Sequence, residues 1–276
     1  MNGITLAIKK LRVFLSVNYY RDRQRLFELA TKYLWLFLLC LIYAFFFKAA
    51  LWQKMIKLGN YQIDFPFFLI SGLAMARFVL SPLRVFDDTL KTLRGVKMME
   101  WLLLTPSSPW ELFTSQILWG SLLAFIELIF FLAFAKVLIG IPIKPFLQCG
   151  LWLPTVLAFL SYAGIGMITS GLILFLRRGS SLFAAIDQIS IAFGGVFFSV
   201  ALFPHQLQWA AYSLPVTHLL PIIRYILIHA DTSSVSIHLL ILALMALAFS
   251  VIGVILLETG LRWAKRNGHF SNELTL

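Results

Sequence analysis

Charge is what this sequence has least of. Only 13% of its 276 residues are Asp, Glu, Lys or Arg, about half the share found in a soluble domain. Acidic residues are the scarcer kind, 12 against 23 basic ones. A water-soluble globule is therefore excluded. Cysteine is scarce too: Cys40 and Cys149 both lie in or beside apolar runs, which suits small core residues better than a disulfide framework or a metal pair. No G-x-x-x-x-G-K-[S/T] occurs, so the chain has no phosphate-cradling loop of that type. Residues 1–32 contain no short apolar core ending in a small-residue site, and no cleavable signal peptide is expected. The net charge of +11 does not point to nucleic acid, because the basic residues lie between apolar runs, where they orient helices in a membrane.

What is present in quantity is apolar side chain, 60% of the residues. It comes in runs of about 20, the length that crosses a ~30 Å hydrocarbon core as helix. The runs are continuous rather than alternating, which excludes a β-barrel. The expectation is an all-α polytopic membrane protein with a single domain over 1–276 and six transmembrane helices, at 33–52, 65–83, 111–138, 148–176, 182–203 and 237–257. A further apolar stretch, 207–228, is interrupted by Pro215 and Pro221. Within the outer segment 204–236 it is expected to form one or two short re-entrant helices, tolerated only when packed against protein. With both termini inside, the inner segments hold sixteen Lys and Arg and the outer ones six, so both termini are expected in the cytoplasm. Residues 1–32 mix Leu6, Leu11, Phe14, Leu15 and Val17 with basic side chains, the composition of an amphipathic interfacial helix near anionic headgroups.

The segment 84–110 is the least ordinary. It mixes Asp87, Asp88, Lys91, Arg94, Lys97 and Glu100 with Val85, Phe86, Leu90, Met98, Met99, Trp101 and Leu102, too many large apolar groups for a solvated cytoplasmic loop. They need cover from the protein itself, from lipid or from a partner. After it comes a helix start: Ser108 as N-cap, Pro109 at the first helical position and Glu111 completing a Ser-x-x-Glu capping box. The third span is thus expected to begin sharply at Pro109, behind a stiff elbow of Thr105, Pro106 and Ser108.

"RGVKMMEWLLLTPSSPWELF", residues 94–113, resembles the cytoplasmic loop of ABC-2 type permeases, the membrane subunits of one class of ATP-binding-cassette exporters. "SLPVTHLLPIIRYIL", residues 213–227, is similar to that family's Leu-Pro-x-Thr-His segment before the last span, with Pro215, Thr217, His218 and Arg224 in the matching places. Here Leu219, Leu220 and Pro221 stand where family members often carry Asp. The resemblance implies a coupling helix of Arg94, Gly95, Lys97, Met98, Glu100, Trp101 and Leu102 that docks on a separate ATPase subunit. It implies a second cytoplasmic contact at Arg177 and Arg178, and a homodimer or close heterodimer of permeases. ATP and Mg belong to the partner ATPase; no cofactor, metal or catalytic residue is expected in this chain. Gly164, Gly166, Gly171, Gly194 and Gly195 would allow close helix approach, between copies or within one chain. The implied activity is export from a bacterial plasma membrane, and spans rich in Phe, Leu and Ile suit an amphipathic, lipid-like or lipid-linked cargo, or a drug.

Ionisable residues inside a membrane are functional candidates by default, and three qualify: Arg77, Glu127 and Asp187. Counting ~1.5 Å per residue from the expected inner span ends places Arg77 and Asp187 at equal depth, as a pair, with Glu127 nearer the outer face. The rival reading is a proton- or ion-coupled transporter that uses Glu127 or Asp187 as its carrier. A membrane-embedded enzyme is weaker: His205, His218, His229 and His238 gather in the outer segment, but their spacing fits no metal motif.

Overall fold

The computed structural model describes residues 55–58, 61–95, 109–140, 148–176, 181–227 and 235–266, together with isolated positions at 16, 31, 34, 38, 41, 42 and 146. The expected interfacial helix over 1–32 and first span over 33–52 lie almost entirely outside these residues. So do 96–108, with most of the coupling helix and the elbow, and Arg177 and Arg178.

The first continuous described segments form an antiparallel hairpin of β1 (Met55–Leu58) and β2 (Tyr61–Asp64), in which Leu58 pairs with Tyr61 and Met55 with Asp64. An all-α fold did not anticipate it. Gly59 and Asn60, which separate the strands, are residues favoured in two-residue hairpin connections.

Among the described residues eight helices follow: α1 (Phe65–Val79), α2 (Ser81–Gly95), α3 (Pro109–Ile139), α4 (Trp152–Leu176), α5 (Ser181–Phe193), α6 (His205–Tyr212), α7 (Pro215–Leu227) and α8 (Val235–Arg266). Short 3-10 turns at Cys149–Leu151 and Val200–Leu202 lead into α4 and α6. Among the described residues four helical stretches are long and apolar enough to cross a membrane: Phe67–Thr92, Trp110–Leu138, Trp152–Leu176 and Val235–Ala264.

Two expected spans differ. The second does not stop at Leu83. Leu80 alone separates α1 from α2, and the helical ladder carries on, with Leu80 N–H donating to Ala76 O at 2.9 Å. The break is local because Pro82 has no N–H to offer the carbonyl four residues back. Residues 84–95 are therefore helix rather than the start of a loop, and Phe86 and Leu90 are buried in the common core. Phe86 stacks on Phe113 of α3 at 5.4 Å between centroids, and Gly166 of α4 leaves room for its ring. The protein itself covers these apolar groups of the segment.

The fifth span is not a 22-residue helix either. α5 ends after 13 residues, about 20 Å of rise, at a Gly194-Gly195 turn whose second glycine has φ +79°. That left-handed backbone is strained for any side chain and free for glycine, so the helix ends and the chain turns there. It then folds back as the two short helices α6 and α7. The other expected spans match α3, α4 and α8, with α8 extending to Arg266.

Among the described residues the longest interface is the parallel pair α4 and α8. A Cβ on Gly164 would lie 2.5 Å from the Phe249 carbonyl carbon, one on Gly171 2.5 Å from the Leu256 oxygen, and one on Gly253 2.6 Å from the Gly164 oxygen. Gly260 faces Gly171 in the same way. Two glycines seven residues apart on each helix thus let main chain meet main chain. The expected glycine contacts at 164 and 171 fall within one chain, as does Gly194, whose Cβ would meet Val216 of α7.

Candidate functional site

The membrane charges form two ion pairs, and neither is the pair expected from depth. Arg77 of α1 donates from Nη2 to Glu127 Oε1 of α3 at 2.5 Å. Asp187 of α5 accepts from Arg84 of α2 at both oxygens, Nε to Oδ1 at 3.1 Å and Nη2 to Oδ2 at 3.3 Å. An Arg77–Asp187 pair is overturned for two reasons. The inner end of the second span is expected at Leu83, whereas the helix runs to Gly95. Counted from there, Arg77 stands eighteen positions from Gly95 and Glu127 eighteen from Pro109, which puts them level. Depth also says nothing about the direction a side chain takes around its helix, and Arg77 faces α3.

Both carboxylates thus carry an arginine, which weakens each as a proton or ion carrier. Removing one member of a buried pair leaves the other uncompensated, typically at about 3 kcal/mol or more, while replacing both by apolar groups is often neutral. Glu127→Leu is expected to lower stability in detergent by about 3 kcal/mol, and Arg77→Met with Glu127→Leu to recover most of it. Equal melting of wild type and Glu127→Leu would show that the pair holds nothing together.

Helices α6 and α7 form a clipped unit. Leu214 N–H and Thr217 Oγ1–H both donate to the Ala211 carbonyl, the latter at 2.6 Å, and His218 Nε2 lies 2.9 Å from the Tyr212 carbonyl. Pro215 opens α7, where its missing N–H breaks no helical bond, and Pro221 lies within the helix without ending it. The helix is nearly all interior: Val216, Leu219, Leu220, Ile222 and Ile223 are buried against α1, α4 and α8. This is the cover that a partly inserted helix needs.

Arg224 fixes α7 in place. It is 3% exposed, and its guanidinium sits 3.4 Å from the centroid of the Phe68 ring, a cation–π contact. Nη1 donates to Gly195 O at 3.0 Å, and Nη2 to Phe68 O at 3.1 Å and Val196 O at 3.3 Å. No carboxylate is among its described partners. Gly72 makes the space, since a Cβ there would stand 2.7 Å from Arg224 Nη2 and 2.9 Å from Val196 O. One side chain thereby ties α7, the glycine turn after α5 and the first turn of α1. The sequence singles out Arg224 but not Phe68, Gly72 or Arg84. One signal is there to be found: between Asp187 and Arg224 there is no Lys, Arg, Asp or Glu, so a cation ending that run stands out as needing a partner from elsewhere in the fold.

Helix α3 starts at Pro109 as the capping pattern predicts, with Glu111 in its first turn, where a negative charge suits the helix dipole. Arg94 and Gly95 are the last residues of α2. Lys97, Met98, Glu100, Trp101, Leu102, Thr105, Pro106 and Ser108 lie outside the described residues. Among the described residues no group of three or more His, Cys, Asp and Glu is placed to hold a metal ion.

A family model described as ABC-2 type transporter matches residues 14–228. A search of curated proteins gives no match.

Proposed function

Because the chain belongs to the ABC-2 type transporter family, we propose that it is the membrane-spanning subunit of an ATP-driven exporter, working as one of a pair of permeases with separate ATPase subunits. The observation that carries this reading is the family match over 14–228, which includes both the segment before α3 and the re-entrant helices. In the proposed mechanism ATP, with Mg, binds and closes the ATPase pair, which moves the coupling segment from Arg94 to Leu102. Thr105, Pro106, Ser108 and Pro109 form the elbow that passes the movement to α3. α3 rests on α1 and α2 and grips α1 through Glu127 and Arg77. α1 in turn holds α7 through Phe68 and Arg224. A displacement begun in the cytoplasm thus has a contiguous route to the outer re-entrant unit, where Pro215, Thr217 and His218 set the junction of α6 and α7. Arg177 and Arg178 supply a second, smaller contact with the ATPase. The cargo is an amphipathic, lipid-like or lipid-linked molecule, or a drug, moved outward across a bacterial plasma membrane, with both termini in the cytoplasm.

The test is to isolate the full chain in mild detergent from its native membrane and ask whether an ATPase travels with it. Glu100→Ala and Trp101→Ala are expected to loosen that ATPase or to uncouple hydrolysis from transport by tenfold or so, about 1.4 kcal/mol of lost coupling, with the membrane part still folded. An ATPase that stays bound and fully coupled in both variants would remove the docking assignment. A chain that comes alone and transports on an ion gradient would remove the ATP-driven reading.

A further inference from the structure

The outer unit is joined to the last span by a pair of imidazoles. His218 on α7 and His238 on α8 bring their Nδ1 atoms to 3.2 Å. Their ring centroids stand 5.4 Å apart, close to the largest separation that rings with this Nδ1 distance allow, so the two nitrogens point at each other. That is the geometry of a hydrogen bond rather than of two ligands turned toward a shared metal. Which protons are present follows from the other ring nitrogen. His218 Nε2 faces the Tyr212 carbonyl, which only accepts, so Nε2 carries the hydrogen. A neutral His218 then has a bare Nδ1, and His238 must donate its Nδ1–H to it.

The consequence is unequal response to successive protons. The first has a free lone pair at His238 Nε2; taking it charges the donor and strengthens the bond to His218. The second has only His218 Nδ1 left, where it would set two N–H groups head to head and two cations 3.2 Å apart. Among the described residues no carboxylate stands beside the pair to offset this. On α6 the Tyr212 ring lies against His218. The titratable groups on the other packed helices are Tyr162 of α4, Arg77 of α1, which is paired with Glu127, and Arg224 and Tyr225 of α7 itself. On α8 Glu258 lies twenty positions beyond His238.

We infer that His218 and His238 form a single-proton site that latches the α6–α7 unit to α8, tightening with one proton and opening when acid on the outer side supplies a second. Arg224 anchors the far end of α7 independently, so release at His218 swings the clipped α6–α7 junction about that anchor. The inference goes beyond the transport reading, and its test requires no ATPase, so either can fail alone.

The experiment places spin labels at Gln206→Cys on α6 and Leu240→Cys on α8, in a Cys40→Ala, Cys149→Ala full-length chain in lipid nanodiscs. Pulsed electron resonance would show one label distance at about pH 7.5 and a second, longer population growing toward about pH 5, within the range where histidine changes charge. His238→Asn keeps an amide donor near the Nδ1 position but takes no proton, and its distance should not respond. A wild-type distance unchanged down to about pH 5, or a His238→Asn distance that shifts as the wild type does, overturns the latch. Should His238→Asn fail to fold, imidazole nitrogen resonances of the wild-type chain decide: uptake of the two protons in separate steps supports the pair, and two independent, coincident titrations overturn it.

Discussion

Alanine at Gly164 or Gly171 should each lower stability by about 2 kcal/mol, the range expected when a methyl group is forced into a packed site. The new Cβ at Gly164 would meet the Phe249 carbonyl carbon at 2.5 Å and the Ser250 nitrogen at 2.7 Å; at Gly171 it would meet the Leu256 oxygen at 2.5 Å. These are backbone atoms of α8 and have no rotamer to change, so relief comes only by moving one helix away from the other along the seam. Alanine's helix preference over glycine, about 1 kcal/mol, works in the opposite direction and is too small to offset parting the two helices. The double variant should cost less than the sum, because helices already parted by the first methyl have space for the second. Gly150→Ala is the control: the nearest atom to its Cβ would be a side-chain carbon of Ile226 at 3.9 Å, and its melting should stay within about 0.5 kcal/mol of wild type. Thermal unfolding in one detergent reads all four. Wild-type melting in the two seam variants would mean that α4 and α8 are not held main chain to main chain.

Arg224→Ala should be the most damaging single change around α7, at about 3 kcal/mol or more, the scale for breaking a buried charged network. It strands the carbonyls of Gly195 and Val196, removes the cation from the Phe68 face and leaves a void among α1, α5 and α7. Arg224→Lys should not rescue it: a single ammonium lacks the planar fork that reaches three carbonyls at once. Gly72→Ala supplies the sharper test. Its methyl presses on Arg224 Nη2 at 2.7 Å and on the Val196 oxygen at 2.9 Å, so it should destabilise the wild type clearly. In the Arg224→Ala background one of those two clashes is gone, and the same methyl should cost less by about 1 kcal/mol, the coupling expected of groups in contact. Strict additivity of the two changes would mean that Gly72 and Arg224 do not share the space assigned to them. Transport assays on the same variants would separate a structural anchor from a moving one.

Much of this is legible in the sequence, for reasons that differ from element to element. The start of α3 at Pro109 is written locally, since cap, proline and acidic residue are signals within four positions. α4 and α8 are legible because their apolar runs are long and end in basic residues. α2 is not, because Arg84 reads as the membrane boundary when its partner Asp187 lies 103 positions further along; a charge satisfied by a distant residue looks like an exposed one. Arg77 is matched to the wrong partner because depth along a helix can be counted from sequence whereas direction around it depends on the packing of neighbours. Gly164 and Gly171 are visible, yet what they touch becomes clear only with Gly253 and Gly260, which repeat the same seven-residue interval on α8. The short fifth helix is hidden by composition: Gly194-Gly195 sits inside an apolar run that hydropathy alone carries straight through.

The glycine seam also has a mechanical meaning. Where two helices touch through side chains, one can slide over the other by small steps as rotamers change. Where they touch backbone to backbone in paired notches, a sliding step has to move one notch to the next, seven residues or about 10 Å, and everything between is a clash. α4 and α8 should therefore respond to load as one beam. α3 rests on α1 and α2 through rings and branched chains such as Phe78 against Phe125 and Phe86 against Phe113, which repack in small increments. A push at Pro109 would then be taken up as travel of α3 and α1 across a rigid beam, with little of it lost in general flexing of the bundle.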